Sequence, residues 1–396
     1  MKPRLDLLRR FNFLQLAAML ALIAVGTVAI WSAGNARPEA VFHDMWKSHL
    51  ATAAFGLTLY VLIAFTDYRR ILDFVAVPAY AAALAMLVTV LLVGTERFGG
   101  RRWLWFFQPS EISKLCLLLF LSSLFGRTGS LLRRLALPDG SGFGFRAFLV
   151  AAAVIGIPSL LILAEPDLGT TLTLVPATVL MMFVARVWRR GLVPIAVVGG
   201  ILALAVLGAV YEAEKPGTDA ARRERILRYV PLKDHQVKRI RVFLFPEEDL
   251  LGAGYNLRQA KISIGSGGFS GKGIGKGETN HLKYLPQAIS MNDFIFCVYA
   301  EETGFIGSLV LLMLFGALLL PGCWVAFVST DGRGKLLALG ISTLVFAHVY
   351  INIAMSIGLV PITGLPLPFI SSGRTFLMTV MAGLGIIQSV SLHREV

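Results

Sequence analysis

Residues 11–32 read FNFLQLAAMLALIAVGTVAIWS, an apolar run without a single charged side chain. At about 1.5 Å of rise per helical residue, about 20 such residues cross the roughly 30 Å of hydrocarbon in a bilayer. Its length, and the runs that recur behind it, set it apart from the short apolar stretch of a cleaved export signal. Nine more runs follow, at 49–65, 72–94, 112–125, 147–164, 169–185, 191–211, 294–328, 336–359 and 376–392. The fourth of the ten is short and is expected to begin nearer Gln108, while the eighth is long enough to tilt or to kink at Pro321. The chain is therefore predicted to be an all-α polytopic membrane protein, since helices satisfy every backbone polar group internally in lipid.

Composition points the same way. Of 396 residues, 56% are hydrophobic and only 15% are Asp, Glu, Lys or Arg, against about 25% charged in soluble domains. Disordered chains pair low hydrophobicity with high charge and are excluded too. Cys116, Cys297 and Cys323 lie apart in apolar stretches, and the histidines have no pair at ligand spacing. Neither a disulfide framework nor a transition-metal centre is expected. The layout divides into helices one to seven over 1–211, one large polar segment over 212–292, and helices eight to ten over 293–396.

The 37 Lys and Arg against 24 Asp and Glu leave a net charge of +13. Sixteen of the basic residues, from Lys2 and Arg4 through Arg69, Arg133 and Arg189 to Arg333, Lys335 and Arg394, fall in loops on one side. By the positive-inside rule that side is the cytoplasm, and both termini lie there. The opposite short loops hold Arg37, Lys47, Arg97, Arg101, Arg102 and Arg374. Three of these stand together at 97–102, against the rule, so they call for a chemical reason. The segment 212–292 carries fourteen Lys and Arg and nine Asp and Glu on the outer side. Its basic surface suits an anionic, membrane-borne partner and not nucleic acid; the plainer reading is a solvated loop beside lipid headgroups.

Polar residues within apolar spans are informative, because each costs about 2.5 to 3.5 kcal/mol at a helix centre unless paired or hydrated. Four groups qualify. In RRWLWFFQPSEISK (101–114), Glu111 and Lys114 lie three apart on one helical face. They form either a self-neutralising packing pair or, with Arg101 and Arg102, a cationic anchor for phosphate. Glu165 and Asp167 occupy the turn between spans five and six, where Asp167 caps the next helix or both carboxylates hold basic residues of the long segment. LGAGYNLRQAKISIGSGGFSGKGIGKG (251–277) interleaves glycines with Lys261, Lys272 and Lys276. Such backbone cradles phosphate or simply makes an interfacial turn, and residues 256–264 are amphipathic enough to lie on the membrane surface. Asp293 precedes span eight, and at an i,i+8 spacing Glu301 is expected to share a cavity with it while Glu302 points away.

Together these stretches resemble the shape, elongation, division and sporulation (SEDS) family of membrane proteins. Five motifs stand in that family's order: RRW and QPSEISK at 101–114, EPDLGT at 165–170, LGAGYN with AKISIGSGG at 251–268, DFIFCVYAEETGFIG at 293–307, and GLVPITGLPLPFISSG at 358–373. The Gly254-Tyr255-Asn256 stretch is closer to members serving cell elongation and rod shape than to those of division. The resemblance implies a peptidoglycan glycosyltransferase that polymerises lipid II on the outer face of the bacterial cytoplasmic membrane. It also implies a class B penicillin-binding protein as partner. It places Asp293 as the base that deprotonates the attacking sugar hydroxyl, with Glu111 and Lys114 in a polar centre. Arg101, Arg102, Lys261 and Lys272 are candidate pyrophosphate contacts, Arg374 adds charge nearby, and Glu165, Asp167 and Glu301 support the site. No cofactor is evident, and a divalent cation shared between Asp293 and pyrophosphate stays open.

Two stretches depart from the family pattern. The family's Pro-Glu-x-His-Thr-Asp approach to the aspartate is here PQAISMND (286–293), two residues longer, and its SYGGS is here SSGRT (371–375). The competing readings are a lipid-linked precursor flippase, which calls for polar residues through to the cytoplasmic side, and a non-catalytic scaffold.

Overall fold

A computed structural model describes residues 10–35, 40–97, 100–105, 107–126, 142–215, 217–230, 232, 234–249, 252–282 and 284–394. Each of the ten apolar runs forms a helix. Before the polar segment come α1 (Phe13–Asn35), α2 (Met45–Phe65), α3 (Tyr68–Val93), α4 (Pro109–Gly126), α5 (Phe145–Ala164), α6 (Leu168–Val184) and α7 (Arg189–Glu214). Within it lie α8 (Ala220–Leu227), α9 (Asp234–Leu244) and α10 (Ala253–Ser266), and after it α11 (Ile295–Val328), α12 (Gly332–Ser356) and α13 (Arg374–His393). Among the described residues nine helices are long and apolar enough to cross a membrane, and the apolar α6 is shorter at 17 residues. The fourth run starts at Pro109, since proline's fixed φ and missing N–H suit a first helical turn.

The helices differ sharply in enclosure. In α13 the apolar window is 89% buried, and in α7 only 6%. α13 runs along α2, and α11 packs on both α1 and α12. A methyl group at Gly385 of α13 would stand 2.8 Å from the Tyr60 carbonyl oxygen, so a residue without Cβ lets the two helices meet at backbone distance. α7 leaves nearly all of its apolar window exposed.

The kink in α11 is not at Pro321. It falls at Gly304, where φ 67° and ψ −161° leave the helical region. The physical cause is the glycine-rich segment, whose Phe269 and Gly271 backbone atoms occupy the space a Cβ at Gly304 would need. That segment also supplies acceptors for the donors freed by the break. Phe305 N–H bonds the Gly268 carbonyl at 3.0 Å and Ile306 N–H bonds that of Phe269 at 3.2 Å. A helix breaks within a membrane only where freed groups find such partners.

One element departs from the all-helical expectation. Strand β1 (Thr95–Arg97) pairs antiparallel with β2 (Gly100–Trp103), Thr95 opposite Trp103 and Arg97 opposite Gly100. This hairpin carries Arg102 to the turn between α5 and α6. The connection from α12 to α13 turns back into the protein, burying Leu365, Leu367, Phe369 and Ile370, and runs beneath Asp293.

Candidate active site

Asp293 sits in the turn between a short helix (Gln287–Met291) and α11, whose cap residue is Phe294. It is not a helix cap, and no cap hydrogen bond is made at that end. Its backbone is fixed from two sides. Asn352 of α12 donates through Nδ2 to the Asp293 carbonyl at 2.9 Å and to the Leu365 carbonyl at 2.6 Å. Ser371 donates to the Asn292 carbonyl at 2.6 Å, and Ser372 donates to the Asn292 side-chain oxygen. The carboxylate itself has no hydrogen-bond or ion-pair partner among the described residues. Gly364, at φ +73°, would bring a Cβ to 3.5 Å from Asp293 Oδ2, so the connecting loop passes close beneath it.

Two guanidinium groups face this aspartate. Arg102 donates through Nε to the Glu165 carbonyl at 3.1 Å and through Nη2 to the Pro166 carbonyl, and its Nη1 stands 4.0 Å from Asp167 Oδ1. Arg239 of α9 donates through Nη1 to the Thr363 and Ile362 carbonyls at 3.0 and 3.3 Å. Burial pushes the Asp293 carboxyl up to about 6, against the pull of Arg239 and Arg102 and with some help from the Asp167 charge. A carboxyl near 6 is ionised at neutral pH yet basic enough to accept a proton. Burial, with the Asp167 charge adding to it and Arg102 opposing, pushes Glu165 up to about 8. Both Glu165 carboxyl oxygens are buried without a hydrogen-bond partner.

Asp167 does two things at once. It caps α6, accepting from Thr170 N–H at 3.1 Å and the Thr170 hydroxyl at 2.9 Å, and it accepts from Gln108 Nε2 at 3.1 Å. Its charge reaches both Asp293 and Glu111. Deeper in the bundle, fully buried Lys114 lies 2.8 Å from Glu111 Oε2 and 2.7 Å from His348 Nε2, with the Phe376 ring centroid 5.6 Å away. The lysine is thus held on three sides, as a buried charge requires.

Glu301 does not join Asp293. The helix starts only at Ile295, so the angular relation counted from residue 293 does not apply. Instead Glu301 accepts from Lys272 Nζ at 2.8 Å, Ser263 hydroxyl at 3.1 Å, and the amides of Glu278 and Thr279 at 2.9 and 3.3 Å. Lys272 is also 3.2 Å from Glu278, which leaves its charge answered by two carboxylates. The glycine-rich amides are likewise turned inward, Lys272 N–H to the Glu301 carbonyl at 3.0 Å and Gly273 N–H to that of Glu302 at 2.9 Å. The segment cradles the protein's own acidic kink, and phosphate has no claim on these donors. Glu302 accepts a hydrogen bond from Ser32 of α1 at 2.5 Å. Residues 256–264 lie within α10, whose Leu257, Ala260 and Ser263 bury against the start of α11 while Ile262 stays exposed. Lys261 is exposed and folds over Gly358 at the C-terminal end of α12, where a cation suits the helix dipole. Arg374 is exposed in the first turn of α13. The side chain of Arg101 lies outside the described residues. Those residues hold no group of three His, Cys, Asp or Glu placed to ligate a metal ion.

Residues 12–396 match the sequence model of the FtsW, RodA and SpoVE family, described as a cell cycle protein. The chain belongs to this family. It is 33% identical to the peptidoglycan glycosyltransferase MrdB of Escherichia coli K12 over 385 residues, which are 96% of this chain and 93% of that protein. It is 30% identical to stage V sporulation protein E of Bacillus subtilis, over 94% of this chain and 95% of that one. Among solved structures, one from a peptidoglycan synthase complex, determined to show the coordination of polymerization and crosslinking, matches with a TM-score of 0.70 at 28% identity, covering 97% and 98% of the two chains. The rod shape determining protein RodA of Thermus thermophilus matches with a TM-score of 0.66 at 26% identity, covering 97% of each.

For a member of the FtsW/RodA/SpoVE family, the two departures in sequence turn out to touch each other. Ser371 and Ser372 of the altered SSGRT hold Asn292 of the altered approach, and Ser372 N–H bonds the Met291 carbonyl at 3.3 Å. Three site residues escaped the sequence reading: Arg239, Asn352 and His348. The last two stand four apart in an apolar span and so share a face, a signal that was present but uncharged. Arg239 had no local signal, because its place beside Asp293 arises from where α9 lands.

Proposed function

We propose that this family member is a peptidoglycan glycosyltransferase that polymerises lipid II on the outer face of the inner membrane, with both termini in the cytoplasm. The observation that carries it is a backbone-clamped Asp293 whose carboxylate is unpartnered among the described residues, beside Arg102 and Arg239. In the reaction the Asp293 carboxylate takes the proton of the acceptor hydroxyl. The freed oxygen forms a bond to the donor's anomeric carbon, the bond from that carbon to the pyrophosphate oxygen breaks, and its electron pair leaves with the pyrophosphate. Guanidinium groups stabilise that developing charge best, since their planar donors match phosphate oxygens. In this reading Arg102 and Arg239 are those groups. The bundle's lipid-exposed helices offer apolar surface for polyprenyl tails.

Support for the activity comes from the curated relative named a peptidoglycan glycosyltransferase. Support for a cross-linking partner comes from the synthase complex, and in this reading that partner is a class B penicillin-binding protein. The sixteen basic residues on one side support the orientation. The deciding test gives labelled lipid II to purified protein, alone and with the partner. Polymer from wild type and none from Asp293→Asn supports the reading, while equal polymer from both would falsify the assignment of the base.

A further inference from the structure

Away from Asp293, the polar segment borders an open cavity of about 500 Å³ between the end of α7 and helices α8 and α9. That volume lies in the range of small-ligand sites. Its wall carries both signs of charge beside Leu227, Val237 and Phe245. Most of the charges are already answered. Glu214 holds Arg223 at 2.7 Å and Arg241 at 3.3 Å, Arg241 also holds Glu248 at 2.8 Å, and Asp249 accepts from the Gly252 and Gly254 amides at 2.9 and 3.2 Å. Two are not. Asp234 and Lys238 line the cavity four residues apart on α9, both exposed, and neither has an ion-pair or hydrogen-bond partner among the described residues.

An open carboxylate and an open ammonium on one helical face are complemented by a ligand that carries an ammonium and a carboxylate, with aliphatic groups between them. A tethered oligopeptide with one free terminus and an oppositely charged side chain has that chemistry. We propose that this cavity seats the peptide borne by each disaccharide of the substrate, an inference that rests on the glycosyltransferase reading. α9 supplies the connection to the reaction. Val237, Lys238, Arg241 and Val242 face the cavity, while Arg239 on the same helix reaches the loop beneath Asp293. A seated peptide holds the sugar's tether and steadies the helix that carries Arg239.

The test uses the full chain with Asp234→Asn and Lys238→Met combined, both exposed and outside the base and its arginines. Polymerisation is measured on lipid II and on the same lipid without its peptide. With the peptide present, the double variant is expected to raise KM about tenfold, the scale of lost charged contacts, and to match wild type on the peptide-free lipid. A raised KM assigns the precursor's peptide to the cavity. An unchanged KM with shorter products assigns the peptide of the growing strand. No change on the peptide-bearing lipid, or an equal loss on both lipids, overturns the proposal. Direct binding of a fluorescent pentapeptide separates this inference from the enzymatic one. Binding that the double variant weakens about tenfold sustains the cavity's role even where wild type makes no polymer; equal binding by both proteins overturns it even where polymer forms.

Discussion

Asp293 and Glu301 are carboxylates eight residues apart at the mouth of one helix, and they meet opposite surroundings. Four groups donate to Glu301: Ser263, Lys272 and the amides of Glu278 and Thr279. Asp293 has its backbone held by Asn352 and its carboxylate left open toward two arginines. With Asp293 as the proposed base, the comparison separates construction from chemistry within one protein. A carboxylate whose lone pairs are filled by amides and an ammonium cannot take a substrate proton without dismantling its own support. One held through its backbone can.

Asp293→Asn is the substitution with the largest expected effect on polymer formation, a loss of about 100-fold to 10,000-fold, the usual worth of a general base. Thermal unfolding should stay near wild type, since the clamp from Asn352 reaches the backbone carbonyl and asparagine fills the same volume. An inactive variant that is also unfolded would put Asp293 in the same class as Glu301. Next comes Glu301→Ala. It leaves Lys272 and two amides without their acceptor and is expected to cost about 3 kcal/mol of stability, as broken buried pairs do. Its activity should fall only as far as folded protein is lost, so rate and folded fraction measured together decide it. A fully folded Glu301→Ala with no activity would erase the contrast.

How much of this was legible in sequence follows from what sets each feature. The helices were, because a bilayer demands apolar length and internal hydrogen bonding, and residues 11–32 meet both without reference to anything distant. The location of Asp293 at a span's edge was, since the apolar run begins directly after it. The kink was misplaced at Pro321, because proline announces itself locally whereas Gly304 bends only where Gly268 and Phe269 accept its freed donors. The glycine-rich stretch looked ready for phosphate for the same reason. Its donors are real, and their occupants, Glu301 and the carbonyls at the kink, belong to a distant part of the chain. Arg239 belongs with these, a residue brought beside Asp293 by the landing of α9 on the 357–373 loop.

Arg239 sharpens the comparison further through pH. Asp293 must be ionised to act, and its carboxyl stands near 6, so wild-type rate should fall as pH drops through about 6. Arg239 favours the ionised form, and removing it as Arg239→Gln lets burial dominate. The acidic limb should then move upward by about one pH unit, the scale of one nearby charge. A rate profile between pH 5 and 9 reads it. A limb left in place would mean that Arg102 alone governs the aspartate.

The smallest effect on rate is expected at Glu165. Its carboxyl is raised to about 8 by burial and by the Asp167 charge, so at pH 7 it is mostly protonated and already resembles the amide of glutamine. Glu165→Gln should therefore polymerise at pH 7 within about twofold of wild type, a neutral group having replaced a neutral group. Stability reports the difference. In the unfolded chain this carboxyl ionises near its ordinary 4.5, so between there and about 8 the folded state holds a proton that the unfolded state has lost. Wild type consequently loses stability as pH rises through that window, and the loss is complete above 8. The glutamine variant lacks the proton and the slope. Unfolding midpoints at pH 5, 7 and 9 should therefore coincide at the lowest pH and diverge in favour of the variant at the highest. Midpoints that stay parallel would mean Glu165 is ionised in the folded protein, with Arg102 outweighing its burial, and the rim would then carry three negative charges in place of two.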